Sequence, residues 1–266
     1  MKLSPHFTRV IIPIHLVGLY ALFRLLSAPQ LSSILLILIG WTLISGLGVA
    51  VGLHRYLSHK SFKTSLRIEK IISLLGALGG QGSPIFWVAL HRLHHIHSDT
   101  SLDIHSPVNG KWSSYLGWQI RFDHRKFSLQ HAKNLARDPW QKWLHRNYET
   151  LIHLTLAASV LIPLDIGLNL IALPMLYSIH QENIINLFCH MDKPGLRPQQ
   201  TGDNSRNIRW LTWFTWGQSL HNNHHAFPSR ANFACHRHEF DPAMLLVRLI
   251  RTRSNALPHT QYEQQC

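Results

Sequence analysis

Residues 31–53 run for 23 positions without a charged side chain, LSSILLILIGWTLISGLGVAVGL. A helix needs about 20 apolar residues to cross the roughly 30 Å hydrocarbon core of a bilayer. A buried helix of a water-soluble domain is usually shorter and keeps a polar stripe. The run therefore predicts a membrane span and excludes an ordinary soluble fold. Residues 10–26 form a second apolar stretch, interrupted by His15 and Arg24, and Ser27-Ala28-Pro29-Gln30 between the two is a tight turn. The pair reads as a helical hairpin. A second hairpin is expected with arms at about 149–165 and 168–190 and a turn holding Asp165 and Gly167. Its second arm carries His180, Glu182, Asn183, Asn186 and His190, groups that are expensive in lipid and so point to function. Residues 71–90 are also long enough to span, but Gly76, Gly79, Gly80, Gly82 and Pro84 weaken them as a helix.

Charge orients the hairpins. Lys and Arg number 26 against 13 Asp and Glu, a formal net charge of +13. Residues 54–150 hold 14 of the basic groups and residues 191–266 hold nine, while the turns at 27–30 and 165–169 hold none. By the positive-inside rule both long polar regions and both termini are cytoplasmic and both turns lie outside. The basic surplus then has a membrane explanation, attraction to anionic headgroups, and needs no nucleic acid partner.

Histidine, 21 residues of 266, is far from evenly spread. His54-Arg55-Tyr56-Leu57-Ser58-His59, His91-Arg92-Leu93-His94-His95 and His221-Asn222-Asn223-His224-His225 form three clusters, and Asn186-Leu187-Phe188-Cys189-His190 is a fourth element. Chance would supply roughly 0.1 HxxHH patterns in such a chain; two are present, plus an HxxxxH. On a helix, positions i, i+3 and i+4 share a face. His91, His94 and His95 can thus point three imidazoles at one volume, as can His221, His224 and His225, and Asn186 and His190 likewise share a face. His54 and His59, five apart, stand about 140° from each other around an ideal helix. They are not expected to converge on one ion without a bend, although they could reach two ions side by side.

Nine imidazoles exceed the coordination number of one metal, so two metals are expected. Imidazole suits zinc, copper, iron and nickel, and no thiolate falls among the clustered residues except beside His190. Structural zinc usually takes four ligands and mixes in Cys, so a redox pair, iron first, is the better match, and spacing by itself leaves zinc open. Were 71–90 to cross the bilayer, His91–His95 would emerge opposite His54 and His59. That segment is therefore predicted to lie in the interface or to re-enter, its glycines permitting close packing. The fold expected is an all-α integral membrane protein: four transmembrane helices in two hairpins, a cytoplasmic histidine-bearing helical cap, and a single domain over 1–266.

At these residues the sequence resembles the membrane fatty-acid desaturases of the acyl-CoA delta-9, stearoyl-CoA desaturase-like type. The likeness extends over about 48–241 and includes GLHRYLSHKSF (52–62), FWVALHRLHHIHSDTSLDIHSP (86–107), GDNSRN (202–207) and GQSLHNNHHAFP (217–228). It implies an enzyme that uses O2 to insert a cis double bond into an acyl chain carried by CoA or a lipid. It further implies two iron ions held by His54, His59, His91, His94, His95, His190, His221, His224 and His225, with Asn186 reaching one iron through water. Trp87 and Gln81 match the residues that line the family's acyl tunnel. Departures are Gln218 where the family usually has Glu, Ile104 where Pro is common, and CHRHEFD (235–241) in place of a Trp-rich stretch. None removes a ligand.

Three acids, Asp99, Asp103 and Asp203, are candidates to accept hydrogen bonds from ligand imidazoles, since metal-bound His usually donates its other N–H to such groups. Arg206 is a candidate contact for an anionic headgroup. His6, His15, His153 and His259 read as packing or surface residues, while His97 and His105, close behind the second cluster, are lesser candidates to orient ligands or substrate. The chain has no haem-binding HPGG core, no Cys-rich ferredoxin run and no Rossmann fingerprint. Its two electrons are therefore expected from a separate cytochrome b5-like, ferredoxin or flavoprotein donor docking on the cap. Two other classes use similar residues. A related histidine-box oxygenase would hydroxylate a lipid. A metal transporter would place its ligands near mid-bilayer, whereas these clusters lie just beyond span ends. A bacterial inner membrane or the endoplasmic reticulum is the expected location.

Overall fold

Gln30 still has extended backbone, and from Leu31 the apolar run winds without interruption to Ser58. In the computed structural model, which describes residues 3–252, this helix, α2 (Leu31–Ser58), lies beside α1 (Phe7–Ser27), and both are long and apolar enough to cross a membrane. Leu16, Phe23, Leu26, Leu31 and Leu35 lie exposed on them, a surface that water would penalise and lipid would not. Among the described residues the chain is all helix and loop, with two isolated bridges and no strand.

The second hairpin differs in its bend. α3 (Leu66–Ala77) and α4 (Pro84–His97) come first, then α5 (Pro139–Arg146) and α6 (Tyr148–Leu161). α6 stops four residues before the expected 165, because Ile162 precedes Pro163 and is held extended at ψ 170°. The expected turn around Asp165 and Gly167 is helical instead: Leu164–Gly167, Leu168–Ala172 and Leu173–Phe188 join as one helix, α7 (164–188). Val10, Ile14, Ile44, Ile152, Met175 and Ile179 meet in one buried cluster where α1, α2, α6 and α7 come together. Arg24, which interrupts the first apolar stretch, pairs with Asp165 at 3.0 Å, so the two hairpin bends lie at the same end of the bundle.

Segment 71–90 is not one helix. It comprises the end of α3, a reversal at residues 78–83 and the start of α4. The reversal depends on Gly80 and Gly82, at φ +78° and +111°, a region that side chains with a Cβ avoid. Ser83 then caps α4 by accepting from the Phe86 amide, with Pro84 in the first turn. The expected close packing is present where α3 crosses α2: a Cβ on Gly48 would stand 2.5 Å from the Leu75 carbonyl carbon, and one on Gly76 2.8 Å from the Gly48 oxygen.

His6 is a packing residue, while His259, read the same way, lies outside the described residues. Its ring lies 4.2 Å from His124 and 5.8 Å from Tyr148. Burial pushes the His124 imidazole down to about 4 and pushes His6 down as well, with the His6–His124 repulsion adding to it. Below pH 6.5 the unfolded chain therefore binds protons that the fold refuses. Stability from this pair is full above pH 6.5 and falls as pH drops toward 4, by an amount on the order of 2–3 kcal/mol for His124. Melting of a His124→Phe variant is expected to lose less between pH 7 and pH 5 than that of the parent, read by tryptophan fluorescence; an identical pH slope would contradict this.

Candidate metal centre

The last turns of α2 are wider than an α-helix: Thr42–Ser58 is wound with i→i+5 hydrogen bonds, and the His59 amide donates to the His54 carbonyl at 3.3 Å. Such turns are rare and favour functional sites. Five residues now complete about one turn, so His54 and His59 return to the same face. This corrects the ideal-helix expectation that they would diverge toward two ions. Both join His91 and His95 of α4 and His224 of α8 (His221–Ala226) in one group whose ligand atoms lie within 4.8 Å of one another. His94, His190, His221 and His225 form a second such group. All nine predicted histidines are thus gathered, five in one group and four in the other.

Within each group the Nε2 atoms face each other. In the first, His54–His224 and His59–His91 are 2.8 Å apart, His95–His224 2.9 Å and His95–His91 3.1 Å. In the second, His190–His221 is 2.9 Å, His221–His225 3.1 Å and His94–His225 3.3 Å. Nitrogens at about 2.1 Å from a shared ion stand about 3.0 Å apart when their bonds meet at right angles, so the spacing suits a metal.

The opposite ring nitrogens fix the tautomers. Nδ1 of His94, His190 and His225 lies 2.8, 2.8 and 2.6 Å from carboxylate oxygens of Asp103, Asp99 and Asp203. A carboxylate only accepts, so these Nδ1 atoms carry the proton and the facing Nε2 atoms present lone pairs. His221 Nδ1 faces the Gln218 carbonyl at 3.2 Å, and His54 Nδ1 the Gln218 side-chain oxygen at 2.7 Å. Lone pairs converging in a buried space repel unless a cation lies among them. The donor set therefore fits two metal ions.

All three candidate acids back the four-imidazole group. Burial pushes the Asp203 carboxyl up, but bonds from His225, Ser205 and Thr201 outweigh it and hold it well below the usual carboxylate range. Burial, with repulsion from His225 and Arg92 adding to it, takes His59 down to about 3, and burial takes His225 to about 4 against the pull of Asp203. At neutral pH both rings offer lone pairs. Losing the carboxylate behind a ligand typically weakens metal affinity about 10- to 100-fold. Asp203→Asn is expected to do so for one of two ions, measured by chelator competition and metal analysis; unchanged release would refute it.

A web centred on Arg55 joins the first cluster to the third. Its guanidinium donates to the carbonyls of Ala50 and Ala231 and to both oxygens of Asp241, and lies 3.8 Å over the Phe233 ring. That ring in turn lies 4.3 Å from His224 and 5.4 Å from His54. His105, close behind the second cluster in sequence, lies 3.3 Å from Asp103 and 4.7 Å from His94; Gln218 was noticed only as a departure.

A cavity opens onto His91, His94 and His221, and its wall includes Gln81, Trp87 and Asn186. Trp87 donates to Gln81 Oε1 at 3.0 Å, and Gln81 donates to the Ser178 carbonyl at 2.9 Å, so the pair is fixed. Arg206 is elsewhere: it donates to the carbonyls of Met191 and Gly195, bracing that loop, and is not in the cavity wall.

Comparison with known proteins agrees with this geometry. The family described as fatty acid desaturase matches residues 31–251. Among similar proteins, sn-1 stearoyl-lipid 9-desaturase of Anabaena variabilis is 33% identical over 220 residues, covering 81% of this chain and 79% of the relative. Delta-9 acyl-lipid desaturase 1 of Arabidopsis thaliana is 35% identical, covering 78% and 68% respectively. For sn-2 palmitoyl-lipid 9-desaturase of Nostoc sp. (strain 36) the figures are 35%, 82% and 78%. With clustered imidazoles able to hold metal and a match over most of its length, the chain belongs to the fatty acid desaturase family.

Proposed function

We propose that this desaturase inserts a cis double bond at carbon 9 of a saturated acyl chain carried by a membrane lipid. The observation that carries the reading is the pair of imidazole groups opening onto a buried cavity walled by Gln81 and Trp87; the carbon-9 position and lipid carrier are supported by the names of the similar proteins. The reaction removes two hydrogens from a –CH2–CH2– pair. O2 takes them up with two electrons and two protons and leaves as two waters. No side chain can attack an unactivated methylene. Two iron ions, held by His54, His59, His91, His95 and His224 and by His94, His190, His221 and His225 with Asn186 nearby, would supply the O2 activation.

The chain's own groups do the rest. Asp99, Asp103 and Asp203 keep three ring lone pairs turned inward. The cavity wall holds the acyl chain so that one methylene pair lies beside the metals, which sets where the bond forms. Burial keeps bulk water from that position.

In our reading the chain is a single multi-pass domain, with α1, α2, α6 and α7 crossing the bilayer and the imidazole-bearing cap on the cytoplasmic side. The common end shared by the Arg24–Asp165 bends supports this arrangement, as does the basic excess of the remaining segments. Electrons come from a separate donor that docks on the cap. Expression in a host lacking its own desaturase, with iron and a donor supplied and double bonds mapped in total lipid, is expected to yield cis-9 monoenes. Recovery of only saturated chains refutes the reading, and hydroxylated chains would make the protein a lipid hydroxylase.

A further inference from the structure

We propose that Glu182 is the carboxylate that serves the five-imidazole group, acting at one remove through Gln218 on His54. It is a positioning residue for the ion held there, and the inference rests on the two-metal reading above. Glu182 is buried within α7, where an acid is expensive unless partnered. Its Oε1 accepts from Gln218 Nε2 at 2.6 Å and from Gln181 Nε2 at 3.1 Å. The other end of the same Gln218 amide, Oε1, accepts from His54 Nδ1 at 2.7 Å. One amide thus connects the carboxylate to the ring. Charge on Glu182 polarises that amide, makes Gln218 Oε1 a stronger acceptor, and so holds the proton on His54 Nδ1 and the lone pair on Nε2.

The two groups differ in a way that gives this link its purpose. Three of the four rings in one group rest directly on Asp99, Asp103 and Asp203. In the other, among the described residues, His54 is the ring whose Nδ1 has a hydrogen-bond partner, and His224 Nδ1 is buried with none. Without Glu182 the five-imidazole group would hold a divalent cation with no anion behind it. With it, Asp99, Asp103, Asp203 and Glu182 match in charge two divalent ions. Arg55 does not disturb the balance, being neutralised by Asp241, and Arg92 lies half-exposed at the rim, bonded to carbonyls.

The site also explains how the chain tolerates Gln218 at a position where the resemblance leads one to expect Glu: the acid has moved one link along the chain of hydrogen bonds, from the third cluster to α7. Exchanging the two residues is therefore the decisive experiment. The full-length protein is purified in lipid nanodiscs, loaded with 57Fe(II), and examined by metal analysis, Mössbauer spectroscopy and chelator competition.

The parent is expected to hold two irons. Glu182→Gln should release one of them about 10- to 100-fold more readily while the spectrum of the other is unchanged. The double variant Glu182→Gln/Gln218→Glu, which returns a carboxylate to direct contact with His54, should regain the second iron. Two firmly held irons in Glu182→Gln overturn the proposal, as does a change confined to KM for the acyl substrate, which would make Glu182 cavity wall alone. Failure of the double variant to regain iron, when its melting matches the parent, also overturns it. A parent chain that binds no iron at all sinks the two-metal reading itself, a result distinct from any of these.

Discussion

His94→Ala is expected to abolish desaturation and to empty the four-imidazole group of any ion it holds, while His153→Ala is expected to leave activity and metal content nearly intact. His94 touches both sides of the four-imidazole group: Nε2 faces His225 at 3.3 Å and Nδ1 faces Asp103 at 2.8 Å. Removing it opens the ring of donors and leaves the buried Asp103 carboxylate without that imidazole. A chemistry that no side chain can supply should then fall to background, a loss of at least about three orders of magnitude, or some 4 kcal/mol in barrier. His153 lies exposed on α6 with Nε2 at 2.7 Å from the Arg9 carbonyl, remote in role from the groups. Product yield from lipid analysis, set beside metal per chain, separates the two variants. Appreciable monoene from His94→Ala would refute the assignment.

The second large effect is on stability. Arg55 and Asp241 are both fully buried, 2.9 Å apart, and Asp241 also accepts from the amides of Phe233 and Ala243. Removing one partner of a buried pair strands the other and costs about 3–5 kcal/mol. Asp241→Ala is therefore expected to lower Tm by about 10 °C and to loosen Phe233 from His224. Arg55→Lys should not restore it, because an ammonium cannot reach two carbonyls and both carboxylate oxygens from one plane. Thermal melts followed by tryptophan emission test this; a parent-like Tm for Asp241→Ala would show that the pair contributes nothing.

Much of this was legible in residue spacing. His91, His94 and His95, and likewise His221, His224 and His225, share helix faces as i, i+3, i+4 arithmetic requires, and the broken 71–90 segment followed from its glycines and from the need for the clusters to meet. The His54–His59 pair was misjudged because a widened turn depends on tertiary packing, which propensity does not encode. The end of α6 was misplaced for a simpler reason: Pro163 outweighed the turn signals of Asp165 and Gly167. The Arg55–Asp241 pair, the Arg55–Phe233 contact and the Glu182–Gln218 link could not be read at all, since the two members of each lie 36 or more residues apart along the chain.

Both imidazole groups take members from the helix at His91–His95 and from the helix at His221–His225. The first is not whole until residue 224 has been made, and the second not until residue 225. A nascent chain halted before His221 would carry only unfinished halves of both groups, so any ion they hold would be captured late in synthesis.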